Sequence, residues 1–110
     1  MSITTKVLND MLNGFIAIHD TYVTALTEPD ISSEILTGRK PIDFSEASAA
    51  SIVGDSEEDL VIPEGTTVTH LAVFDSEQDG DLLCIVELEK PETFANEGSL
   101  SVKQLKISLV

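Results

Sequence analysis

The chain has 110 residues, room for one domain (1–110), and 42% of them are hydrophobic, enough for one modest core and too many for a disordered segment. Six basic against 20 acidic residues give a formal net charge of -14, a surface that repels phosphate backbones and anionic membranes, so neither nucleic acid nor membrane is an expected partner. A single cysteine, Cys84, excludes an internal disulfide and a cysteine-rich zinc site.

The chain opens on an amphipathic pattern. Val7, Leu8, Met11, Leu12 and Phe15 recur at three- and four-residue spacings, Thr4 or Thr5 can cap the start, and Asn13-Gly14 reads as the stop because both residues tolerate a left-handed C-cap. The expectation is an N-terminal helix over residues 1–14, either covering an open end of a β-core or docking onto a partner subunit through Val7, Leu8, Met11 and Leu12. The opening lacks the apolar run of a secretion signal, and no stretch reaches the ~20 apolar residues of a membrane span. A soluble protein made in a cytoplasm follows.

From residue 15 onward the pattern changes to short runs of strand formers. Residues 15–19 and 22–26 read as β, 27–30 as a loop, and 32–39 as a segment running to a turn at Gly38. Ile42 and Phe44 alternate around Asp43 as in a half-buried strand. Residues 45–54 are small and weakly patterned, a short helix or a loop, and the acidic run 55–59 reads as a solvated turn before Leu60-Val61-Ile62. Pro63 and Gly65 mark a further turn. The clearest signal is a hairpin: strands 68–74 and 82–88 flank a polar connection holding Asp79-Gly80, whose glycine accepts the positive φ such turns need. A loop over 90–98 ending at Gly98, then strands over 100–102 and 105–110, complete the chain. The fold expected is mainly β, an antiparallel β-sandwich or small barrel over 15–110 with the short α-helix in front.

Signs of chemistry are few. His19 and His70 have no Ser, Cys or acidic partner at a recognised motif spacing, and read as satisfied core or edge histidines. Cys84, inside an apolar run, reads as a buried inert thiol. One metal candidate stands out: Asp75, Glu77, Asp79 and Asp81, alternate carboxylates with Gly80 among them, resemble the start of a calcium loop. Val86 occupies the place of that motif's final Glu, and strands flank it where helices are required, so a solvated turn is the preferred reading. No catalytic residue, cofactor or metal is expected, and no enzyme.

The stretch Ile62-Pro63-Glu64-Gly65-Thr66-Thr67-Val68-Thr69-His70-Leu71-Ala72-Val73-Phe74-Asp75 resembles one in small virion structural proteins of tailed bacteriophages. In that family a "P-x-G-T-x-V-T-H" turn and strand leads to an aromatic-Asp pair. A Gly turn and return strand follow, here Gly80-Asp81-Leu82-Leu83, then Leu88-Glu89-Lys90-Pro91 and Gly98. Upstream, Ser33-Glu34-Ile35-Leu36-Thr37-Gly38-Arg39 and Ile42-Asp43-Phe44-Ser45-Glu46-Ala47-Ser48 resemble two further family segments. Members are variously head decoration, head-fibre, minor tail or tail-fibre proteins. The resemblance implies an accessory protein on the capsid surface of a virion, made in the host bacterium. Its partners would be major capsid or tail proteins and further copies of itself. A tail-associated or tail-fibre place, an acidic DNA-mimic inhibitor of a host protein and a carbohydrate- or receptor-binding sandwich are the alternatives.

Overall fold

The computed structural model describes residues 4–18 and 20–108. Helix α1 (Thr5–Ile18) is followed by strands β1 (Tyr22–Leu26), β2 (Lys40–Phe44), β3 (Ser51–Ser56), β4 (Leu60–Ile62), β5 (Thr66–Phe74), β6 (Leu82–Phe94), β7 (Gly98–Leu100) and β8 (Leu105–Ser108), with one 3-10 turn at Ile31–Ser33. Six strands form an antiparallel sheet in the order β6-β5-β1-β2-β3-β8, nearly closed into a barrel, and β4 pairs with β7. This is the mainly β architecture with one N-terminal helix that the strand pattern predicts.

Period-two burial builds the interior. Val23 and Ala25 of β1 stand opposite Val73 and Leu71 of β5, and all four join Ile42, Leu60, Ile62, Val68, Val102 and Leu105 in the main core. Leu26, Ala72 and Phe74 point to the other face and form a smaller cluster. The expected hairpin is present, with Leu71 opposite Val86 and Val73 opposite Cys84. On β8, Leu105 is buried and Ile107 half-buried while Lys106 and Ser108 are exposed, as the alternation requires. His19, Leu109 and Val110 lie outside the described residues.

Four boundaries differ from the sequence expectation. The helix runs through Asn13-Gly14 to Ile18, so residues 15–18 are helical where a strand was expected. Asn13 is no cap: its Oδ1 accepts the N–H of Ala47 at 2.8 Å, and one turn earlier Asn9 Oδ1 accepts that of Ala50 at 2.7 Å. These bonds moor α1 on the 47–50 turn, where Ala49 and Ala50 take positive φ. Residues 51–56 form β3 where helix or loop was expected. There, buried Gly54 leaves room for the Phe44 ring, whose carbons lie 2.6–2.7 Å from where a Cβ would stand. Asp55, expected in a turn, is within β3 directly opposite Asp43. Finally, β6 continues past residue 90 to Phe94, and in place of the strand expected over 100–102 β7 spans Gly98–Leu100, with Gly98 opposite Ile62 and the Phe94 ring packed where its side chain would be.

Strand β6 reaches its full length only by interruption. Val68 pairs with Glu92 but His70 pairs with Glu87, so residues 88–91 bulge out opposite Thr69. Pro91 and the charges of Glu87, Glu89, Lys90 and Glu92 cluster around the break, a combination that blunts a sheet edge against pairing with another strand.

Candidate functional site

The most organised polar group is centred on Arg39, in the loop between β1 and β2. Its guanidinium forks onto Glu34, Nε to Oε2 at 2.8 Å and Nη2 to Oε1 at 3.0 Å. Its Nη1 donates to the carbonyls of Ser76 at 3.0 Å and Asp79 at 2.6 Å, and the cation lies 3.7 Å from the centre of the Phe74 ring. Both charged side chains are largely shielded, 11% exposed for Arg39 and 14% for Glu34. The hydrogen bonds from Arg39 hold the Glu34 carboxyl below the usual carboxylate range against the opposing effect of burial, and Thr24 adds a further bond. A planar, multi-donor cation suits this task because it satisfies one carboxylate and two carbonyls at once. The result is a clamp that ties the 34–39 loop to the hairpin loop 75–81.

The carboxylates of the calcium candidate lie on this clamped loop, and that of Asp75 is used to close it. Asp75 Oδ1 accepts the N–H of Asp81 at 2.8 Å, and the Asp75 N–H bonds the Asp81 carbonyl at 3.1 Å, closing the loop across its neck. Asp79 and Gly80 both take positive φ at the turn itself. Glu77 is exposed, and the Arg39 charge is already drawn to Asp79 and Asp75. Among the described residues no group of three His, Cys, Asp or Glu side chains is placed to hold a metal ion. The second turn is tied down too: Gly65, at positive φ just after Pro63, donates its N–H to the Phe94 carbonyl at 2.7 Å.

His70 is half-buried on β5, with Nδ1 2.7 Å from the Thr69 hydroxyl and Nε2 3.8 Å from Glu87. The Cys84 thiol is half-buried and pushed up by desolvation, which keeps it protonated and unreactive. A depression of about 560 Å³ is the open seam between β6 and the 100–106 segment. Leu71, Val86, Leu88, Leu100, Val102 and Leu105 line it together with Glu87, Glu89, Glu92, Lys90, Lys103 and Lys106. Lys103 is occupied there, donating to the Ser56 carbonyl at 2.8 Å.

The four apolar residues of the proposed docking helix divide. Leu12 is buried and Leu8 half-buried, whereas Val7 is 46% and Met11 54% exposed. The site that sequence reasoning missed is the Arg39 clamp. Glu34 and Arg39 lie in one of the segments named above and Phe74 in another, but nothing in their spacing announces that they meet. No helix among the described residues is long and apolar enough to cross a membrane. No family model matches the chain, and no curated protein matches it in sequence.

Proposed function

We propose that this chain is a non-enzymatic structural component of a tailed-phage virion, an accessory protein on the capsid surface. One observation carries the reading. Two segments that bear the resemblance, one with Glu34 and Arg39 and the other with Phe74, are remote in sequence yet meet in a single clamp that closes on the 75–81 loop. Every polar contact in that clamp closes a loop or satisfies a buried group. Such a cluster supports a role in holding shape, as expected where the surface is to be displayed and docked. Its neighbours would be major capsid or tail proteins, and many weak contacts on a repeating lattice would give stable occupancy.

Mass spectrometry of purified particles from the producing bacterium tests the proposal. The expected result is the chain at a fixed stoichiometry to the major capsid protein. Abundance in the infected lysate with absence from particles would end the reading. A map of the intact virion by electron microscopy separates the capsid surface from a tail position.

A further inference from the structure

The turn before β3 is bent against the preference of its own residues. Ser48 and Ser51 exchange both backbone hydrogen bonds, N–H to carbonyl at 2.9 and 3.0 Å. The two residues between them, Ala49 and Ala50, both stand at positive φ, 51° and 59°. A two-residue hairpin loop of this form favours Asn and Gly, because a Cβ is crowded in the left-handed region. Two alanines in succession are therefore strained, and part of what holds them sits on α1. Asn9 Oδ1 takes the Ala50 N–H and Asn13 Oδ1 that of Ala47, so the helix grips the turn at two points.

The helix itself is lightly attached. Among the described residues of α1 only Leu12 is buried. A helix of 14 residues standing alone in water is marginal, so α1 keeps its form only while docked. Its docked face closes a gap. Met11, Leu12 and Phe15 form one wall of a groove of about 320 Å³, and Leu83 and Cys84 of β6 with Ile107 of β8 form the other. Strands β6 and β8 are the two ends of the six-stranded sheet and do not pair with each other. The helix thus straps the open side of the barrel.

We propose that α1 is a releasable strap, sprung by the turn it grips. It leaves the sheet and melts as one unit while the strands stay folded. The 48–51 turn relaxes out of the left-handed region as the helix goes, and the apolar gap between β6 and β8 opens. Strain at Ala49 and Ala50 drives the release; Asn9, Asn13 and Leu12 oppose it. The device is local to α1 and the turn, and is independent of any place in a virion.

Native-state hydrogen exchange of the whole chain, followed amide by amide by NMR at low urea concentrations, tests the strap. The amides of α1 should exchange together with those of Ala47, Ser48, Ala50 and Ser51 through one shared opening. That opening should be more frequent, and shallower in urea, than the one that exposes Leu71 and Val73 in β5. Asn9→Ala and Asn13→Ala should each raise it about tenfold although Ala is the better helix former, because each leaves an N–H of the turn without its acceptor. Ala49→Asn, at ease in the left-handed region, should lower it about fivefold. Exchange of α1 only with β5, at the same rate and urea slope, overturns the inference. So does release of α1 with Ser48 and Ser51 still protected, or a release that Ala49→Asn leaves unchanged, since the turn is then not what drives it.

Discussion

Arg39 is the residue on which most of the loop structure turns. Replacing it with Ala leaves the Glu34 carboxylate shielded and unpaired and strips the carbonyls of Ser76 and Asp79 of their donor. Breaking one side of a shielded ion pair costs about 3 kcal/mol, so Arg39→Ala should lose that much in urea unfolding. Arg39→Lys should recover only part of it, because an ammonium cannot fork onto Glu34 and reach both carbonyls. Full recovery by Lys would mean that charge alone matters. The Arg39 hydrogen bonds lower the Glu34 carboxyl in the fold relative to the unfolded chain. The folded state therefore binds fewer protons there, and the pair's stabilisation is complete above the ordinary glutamate value of about 4.3 and lost as pH falls through the lowered folded value. Stability difference between the wild type and Glu34→Gln, followed by pH titration of unfolding, should be constant near neutrality and shrink below about pH 4. A difference that stays flat into acid would assign the stabilisation to packing. The sequence places Glu34 and Arg39 five residues apart without announcing their pairing, and it gives no sign of the partners at 76 and 79, because a donor–carbonyl contact across a fold leaves no trace in spacing.

At the scale of the element, legibility followed the strength of the periodic signal. Strands β5 and β6 carry apolar runs of strand formers and flank an Asp-Gly turn, so their pairing could be read directly. The end of α1 could not, since Asn13-Gly14 has the composition of a stop and is instead used for mooring: the amide points inward to the Ala47 N–H. Strand β3 was hidden for a different reason. Its buried positions include Ser51, Gly54 and Ser56 beside Ile52, and at Gly54 the Phe44 ring takes the space of a side chain, so the apolar alternation of a half-buried strand is broken. The pairing of β2 with β3 also places Asp43 directly across from Asp55, both exposed. Like charges directly opposite on a sheet are unfavourable by a fraction of a kcal/mol. Asp43→Lys should therefore raise the stability by about 0.5 kcal/mol, read as a higher urea midpoint with an unchanged slope. Asp55 is the wrong member to replace, because its Oδ1 accepts the N–H of Gln104 at 2.6 Å. A loss of stability in Asp43→Lys would show that the two carboxylates are not in conflict.

For the whole molecule, charge is the dominant fact. Acids outnumber bases 20 to six, and the shielded Arg39–Glu34 pair removes one of those bases from the solvent face. Self-repulsion of this kind opposes the compact state and is relieved by salt. Raising sodium chloride from ~0.05 M to ~0.5 M shortens the screening length from about 14 Å to about 4 Å, so the melting temperature should rise by a few degrees. A fall would mean that exposed favourable pairs such as Lys6–Asp10 outweigh the repulsion. The break in β6 at residues 88–91 also bears on how the chain behaves when crowded. A molecule sliding alongside to extend the ladder meets a kink, a proline without a donor and a row of carboxylates. Growth into fibrils therefore has no straight rail to follow, and concentrated solutions of this β-rich chain should stay clear where a smooth-edged sheet would gel.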